Sequence, residues 1–169
     1  MQKISPFLWF DRQAEEAINF YISAFNGSPH KTGKSRVISI ARYEKGMEVP
    51  GGEDMTGKVI TAIFELNDQR FMALDGGPIF KFNESISFYV ECEDQAEVDY
   101  FWKKLSAVPE AEQCGWLKDK YGVSWQIIPK QMGELLGSQD RTKALAATNA
   151  MLKMKKIVIA DLQEAYDEA

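Results

Sequence analysis

The sequence predicts an α+β fold made of two β-α-β-β-β repeats followed by C-terminal helices. Three observations carry the prediction. The order strand, helix, strand, strand, strand runs from residue 4 to residue 74, and it restarts at residue 85 after the Gly76-Gly77-Pro78 break. The helices of the two repeats echo each other. Gln13-Ala14-Glu15 and Gln95-Ala96-Glu97 each open a helix behind an aromatic strand, and each helix ends in aromatic bulk, at Phe20-Tyr21 and Phe101-Trp102. From Gln131 onward the chain turns helix-prone and shows no strand pattern apart from Ile157-Val158-Ile159. The boundaries that follow are one domain over residues 1–130, with halves of about 1–78 and 79–130, and a helical extension over 131–169.

The elements follow in order. Residues 4–10 are aromatic-rich and read as a buried strand. Asp11 offers an N-cap, with Glu15 and Glu16 near the positive end of the helix. Ala14, Ala17, Ile18, Tyr21, Ile22 and Phe25 recur at helical spacing until Gly27 and Pro29 stop the helix. Residues 35–43 read as a strand and Gly46–Gly57 as a loop. Residues 58–66 and 70–74 read as strands joined by a tight Asn67-Asp68 turn. In the second repeat residues 85–91 form a strand. Asp94 and Glu97 stand in capping-box spacing, and Val98, Phe101, Trp102 and Leu105 give the helix its apolar face. Two short strands near 113–118 and 123–128 flank Asp119-Lys120-Tyr121-Gly122. In the extension Ala144, Ala147, Met151 and Met154 share one face, Lys153, Lys155 and Lys156 cluster near the helix end, and Asp161 caps a last short helix.

Composition narrows the partners. Hydrophobic residues make up 45% of the 169-residue chain, enough for a core without metal or disulfide staples. A net charge of −5 argues against nucleic acid as the main partner. No run approaches the ~18 apolar residues of a membrane span, and the N-terminal apolar stretch is too short for a signal peptide. Cys92 and Cys114 form no CxxC motif, so a reduced, cytoplasmic setting is expected. A nucleotide-fold methyltransferase would need a Gly-rich loop between strand and helix. The Gly pairs here, Gly51-Gly52 and Gly76-Gly77, do not open helices.

Two stretches are more specific. Phe80-Lys81-Phe82-Asn83-Glu84-Ser85-Ile86-Ser87-Phe88, and the run from Cys114-Gly115-Trp116 through Tyr121-Gly122-Val123-Ser124-Trp125-Gln126 to Pro129, resemble PhnB-like proteins. These are a branch of the vicinal-oxygen-chelate superfamily of glyoxalase, bleomycin-resistance and dioxygenase proteins, often labelled 3-demethylubiquinone 3-methyltransferase-like. The resemblance covers essentially the whole chain. It implies that the repeats form a curved mixed sheet around a cup. It also implies, for the superfamily's enzymes, one divalent metal held there by His, Glu or Gln and acting as a Lewis acid. By resemblance the ligand positions fall on Ile4, Ser85 and Gln126, and Asp75 is the carboxylate nearest the fourth. An apolar side chain, a hydroxyl and an amide do not make a divalent site, so no metal and no cofactor is expected.

The candidate ligand-binding residues are Gln126, Ser85, Ser87, Tyr89, Ser124 and Cys114. Strand alternation sets Ser85, Ser87 and Tyr89 opposite Ile86, Phe88 and Val90. It likewise separates Ser124, Gln126 and Ile128 from Val123, Trp125 and Ile127. The mixed sets would line a pocket with apolar walls and a few neutral polar groups, suited to a small organic ligand. Cys114 reads either as a small strand residue or as a thiol that Lys118 could activate. His30, the single histidine, reads as a solvated turn residue with no acid close in sequence. The carboxylates at the helix starts read as capping groups. The expected function is a small-molecule-binding protein or a metal-independent enzyme, and the residues leave the reaction and substrate open. A metal-dependent lyase, isomerase or dioxygenase and a drug-sequestering dimer are the alternatives. Unprotected sheet edges and the Met-rich tail lead to an expected homodimer.

Overall fold

A computed structural model describes residues 3–49 and 52–169. Met1 and Gln2, and Pro50 and Gly51 of the Gly46–Gly57 loop, lie outside the described residues. By internal contact the chain forms two units. One is Met1–Gly27 with Lys31–Phe82, and the other is Ser28–His30 with Asn83–Ala169.

The first unit contains β1 (Phe7–Phe10), α1 (Ala14–Asn26), β2 (Arg36–Arg42), β3 (Val59–Leu66) and β4 (Gln69–Asp75). Its sheet runs β1-β4-β3-β2, with β1 parallel to β4 and the other pairs antiparallel. Alternation sorts the side chains cleanly. Leu8, Phe10, Ala62, Phe64, Phe71 and Ala73 are buried on the side where α1 packs through Ala17, Ile18 and Tyr21. The β3–β4 connection is the expected two-residue hairpin. Asn67 and Asp68 take φ of 46° and 63°, and Leu66 pairs with Gln69.

The start of α1 corrects the sequence reading. Its N-cap is Gln13, and no side chain of the cap residue bonds back to the helix. The capping group comes from β4 instead. Asp75, 1% exposed, accepts a hydrogen bond from the Ala14 N–H at 2.8 Å and another from the Val59 N–H at 3.0 Å. One buried carboxylate thus satisfies the helix end and the first residue of β3, a pairing that local spacing around Asp11 does not reveal. Gly76 follows directly, with the Trp9 ring against its Cα. A Cβ built there would stand 2.2 Å from Trp9 Cζ2, and the Trp9 indole N–H donates to the Gly77 carbonyl at 2.9 Å. The Gly76-Gly77 pair therefore serves ring packing and leads into a turn.

The second unit contains β5 (Ser87–Cys92), α2 (Gln95–Leu105), β6 (Trp116–Lys118) and β7 (Ser124–Pro129). Its sheet runs β5-β7-β6, with β5 parallel to β7, so both repeats join their first and last strands in parallel. The expected 113–118 strand is shorter and begins at Trp116. Gln113 makes only an isolated bridge to Trp116, across a turn in which Cys114 and Gly115 take φ of 50° and 85°. A 3-10 turn at Pro109–Ala111 precedes it. The N–H groups of Cys114 and Gly115 donate to the carbonyls of Met154 and Lys155 at 2.8 and 2.7 Å. The extension thus supplies acceptors beside the place where the first repeat has its edge strand.

The α2 cap matches its expectation in part. Asp94 accepts from the Glu97 N–H at 3.0 Å, while the Glu97 carboxylate accepts from the Glu93 N–H at 2.8 Å and from the Ser28 hydroxyl. The extension forms α3 (Lys130–Leu136), α4 (Arg141–Met151) and α5 (Ile159–Asp167). Ala147, Ile157 and Leu162 are buried with Ile128 and Leu135, and Met132, Met151 and Met154 pack against them. Two local readings are corrected here. Ile157-Val158-Ile159 is not a strand, and Asp161 does not cap α5. The Gln95 side chain donates to the Ile157 carbonyl at 3.1 Å and accepts from the Ile159 N–H at 2.8 Å, so it starts α5 from a distance in sequence. Among the described residues no helix is long and apolar enough to cross a membrane.

Candidate functional site

The second sheet presents two chemically different faces. Phe88, Val90, Leu117, Trp125 and Ile127 pair across β5, β7 and β6 on the face against which α2 packs. Buried Asp119 sets the β6–β7 turn and the Trp125 ring together. It accepts from the N–H groups of Tyr121 and Val123 at 2.8 and 3.0 Å and from the Trp125 indole at 2.9 Å.

Register puts the other residues into cross-strand rows. Ser87 pairs with Ser124, and Ser124 with Lys118. Tyr89 pairs with Gln126, and Gln126 with Trp116. The Gln126 amide nitrogen donates to the Ser87 hydroxyl at 2.9 Å. Ser124 is 2% exposed, and its hydroxyl has no hydrogen-bond partner in the protein. A buried hydroxyl left unpaired costs on the order of 1–3 kcal/mol, so it is a group that gains from an added partner. The Lys118 ammonium pairs with Glu84, which lowers the Glu84 pKa through that hydrogen bond. Tyr89 is 56% exposed. Its phenol pKa is raised by loss of solvent and by the Glu91 carboxylate, so it stays a hydrogen-bond donor at neutral pH.

Of the six candidate residues, Gln126, Ser87, Tyr89 and Ser124 therefore share one face. Ser85 precedes β5, is exposed, and turns its hydroxyl to the Asn83 side chain. Cys114 lies in the turn that meets residues 154–155, and the Gln113 amide contacts its sulfur at 3.3 Å. Trp116 and Lys118 join the face. Pairing β6 antiparallel to β7 about the Asp119–Gly122 turn was the signal that would have placed them opposite Gln126 and Ser124.

The metal implied by the superfamily does not fit these residues. Ile4 is exposed and its side chain carries no metal-ligating atom, the Ser85 hydroxyl is bound locally, and Gln126 is a neutral amide engaged with Ser87. Both carboxylate oxygens of Asp75 are taken by backbone N–H groups. Among the described residues no three His, Cys, Asp or Glu side chains stand together as a ligand set.

His30 does have an acid partner, though not in sequence. Its Nε2 lies 2.8 Å from Asp94 Oδ2, which raises the imidazole pKa chiefly through that hydrogen bond. Cys92 is buried, and loss of solvent followed by the charges of Glu97, Asp94 and Glu91 pushes its thiol far up. In the first unit a cleft of about 530 Å³ opens at the start of α1, lined by residues that include Arg12, Glu15, Glu16 and Lys58. Arg42 grips Glu15 there with two 2.7 Å hydrogen bonds, so the cleft is charged and internally paired.

The sequence pattern of the 3-demethylubiquinone-9 3-methyltransferase family matches residues 2–128. The chain belongs to this family. It is similar to the PhnB protein of Bacillus cereus, which carries the same methyltransferase description, at 38% identity over 76% of this chain and 99% of that one, with a TM-score of 0.60. A Pseudomonas aeruginosa protein shares the fold at 18% identity, over 76% of this chain and 98% of its own, with a TM-score of 0.56. No curated protein matches the chain. The PhnB description agrees with the resemblance read from the sequence.

Proposed function

We propose that the chain binds a small organic molecule on the open face of β5, β7 and β6. Gln126 and Ser87 would orient the ligand, and Ser124, Tyr89, Trp116 and Lys118 would complete the contacts. The observation that carries this reading is the buried, unpartnered Ser124 hydroxyl beside the Gln126–Ser87 hydrogen bond. Such polar groups inside an otherwise aromatic surface fix ligand orientation. Methyl transfer, which the family description suggests, finds no support in the residues. Gly76-Gly77 packs against Trp9 and opens no helix that could receive a nucleotide cofactor. In this reading residues 1–130 form the binding domain and 131–169 an extension that buttresses its β6 turn. The protein is a homodimer, supported by the exposed Val37 and Ile38 on the edge strand β2. The two free cysteines suit a reducing cytoplasm.

The test is a small-molecule library screened by tryptophan fluorescence on the native chain and on Gln126→Ala. Ligands of this face should lose about 1–3 kcal/mol of affinity in the variant. Hits that bind both forms equally would refute the site. Stoichiometric metal, purified without chelator and lost on Gln126→Ala, would favour the metal-dependent alternative.

A further inference from the structure

The chemistry of the two rows narrows the ligand class, an inference that rests on the binding face proposed above. In the first row three groups can donate together. The Ser87 hydroxyl accepts from Gln126 and keeps its own proton to give. The Ser124 hydroxyl is buried without a partner. Lys118 carries an ammonium with three protons, one of them directed at Glu84. Glu84 is 57% exposed, so this is a solvated surface pair that an incoming anion can share or displace. In the second row Tyr89 and Trp116 stand on either side of Gln126 on strands that flank β7. With strands spaced ~4.8 Å apart, the two aromatic residues rise from backbones ~9.6 Å apart, room for one flat ring between them. Rows on one face are ~6.7 Å apart along the strand, close enough for a ring over Gln126 to direct a carboxyl substituent toward the Ser87 row. Glu91, the acidic residue on this face of β5, lies two rows from Ser87 and so away from the donors.

We infer that the ligand is a planar, conjugated acid, with its ring over Gln126 between Tyr89 and Trp116 and its anionic oxygens on Ser87, Ser124 and Lys118. The anion is bound by charge-assisted hydrogen bonds, which exceed neutral ones in strength.

The experiment uses salicylate, its neutral isostere salicylamide, and cyclohexanecarboxylate in ¹⁵N NMR titrations of the full chain, following the Trp116 indole resonance assigned with Trp116→Phe. Salicylate should bind roughly five- to tenfold tighter than salicylamide, and tighter than the non-planar acid. Lys118→Gln should weaken salicylate severalfold more than salicylamide, so that the two affinities converge. Glu84→Gln should strengthen salicylate severalfold by freeing the ammonium. Equal affinity for acid and amide, or a preference that survives Lys118→Gln in a folded variant, overturns the acid class. If both compounds still weaken in Gln126→Ala, the binding face itself stands. Equal binding of salicylate and cyclohexanecarboxylate overturns the planar requirement. Failure of all three compounds to bind at millimolar concentration overturns the ligand class, and Gln126→Ala against library hits then judges the face separately.

Discussion

Replacing Asp75 removes the group that starts α1, and the structure sets the size of the effect. Asp75→Ala leaves the N–H groups of Ala14 and Val59 buried without acceptors. Each orphaned donor costs about 1–3 kcal/mol. Loss of a carboxylate from a helix N-terminus adds about 0.3–1 kcal/mol. Relief of a buried charge's desolvation offsets part of the sum, and the net expectation is a loss of about 3–5 kcal/mol. With a urea slope on the order of 2 kcal/mol per molar, the unfolding midpoint of the first unit falls by roughly 1.5–2.5 M. Asp75→Asn keeps one acceptor and presents an NH₂ to the other donor, so it should fall between, at about 2 kcal/mol. Asp11→Ala, at the exposed position that the sequence suggested as the cap, should stay within about 0.5 kcal/mol of the parent. Urea titrations followed by far-ultraviolet circular dichroism measure all three. A larger loss in Asp11→Ala than in Asp75→Ala, or a midpoint unchanged in Asp75→Ala, refutes the reasoning.

The His30–Asp94 pair predicts a pH signature. The imidazole pKa is raised by the Asp94 hydrogen bond, so its stabilisation is complete below the free value of ~6.5 and is lost as pH rises through the folded pKa. The Asp94 pKa is lowered, first by the Glu97 N–H and then by His30, so its share is present above ~3.9 and is lost as pH falls through the folded pKa. The difference in Tm between the parent and His30→Gln should therefore be larger at pH 5.5 than at pH 8.5, and an equal difference at both would show that the pair does not form. Cys114→Asn should raise stability by about 0.5 kcal/mol in chemical denaturation, since Asn tolerates the left-handed φ of 50° better and Asn-Gly suits this turn. Gly115→Ala should cost more than ~1 kcal/mol in the same assay, because its φ is 85° and a Cβ there would lie 2.4 Å from Ile128 Cδ1. Native protein treated with a thiol reagent at neutral pH should leave Cys92 unmodified until it unfolds, as shown by peptide mapping.

Residues whose partners are near in sequence were legible, and residues whose partners are distant were not. The Asn67-Asp68 hairpin, the Asp94 cap of α2 and the apolar stripe of α1 all follow from spacings of four residues or fewer. Asp75 capping α1 across 61 residues, Gln95 starting α5 across 64, and His30 meeting Asp94 across 64 do not. The same division runs through the candidate site. Alternation along single strands gathered Ser87, Tyr89, Ser124 and Gln126, whereas Trp116 and Lys118 needed the pairing of β6 with β7. Cys114 falls outside the site because the chain turns at residues 114–115 instead of continuing as the expected 113–118 strand. Its left-handed backbone bends the chain there, and a Cys before Gly is a weak turn signal beside the flanking strand formers.

The two repeats share a scaffold and differ on their open faces. In the first sheet Phe7 pairs with Met72, Met72 with Ile63, and Trp9 with Leu74, all on the face away from α1. In the second sheet the topologically matching rows hold Ser87, Ser124 and Lys118, and Tyr89 and Gln126. The helix-facing sides are apolar in both repeats apart from Asp75, which caps α1. Substitution on the helix side costs core packing, whereas the open side is free to exchange apolar contact for hydrogen-bonding groups. That freedom depends on register. A one-residue slip of β7 would turn Trp125 and Ile127 to the open side and bury Gln126 under α2 without a partner. The Asp119 turn prevents the slip, because its carboxylate fixes the Val123 N–H and the Trp125 indole at once. Asp119 thereby determines which side of β7 faces α2 and which side stays open.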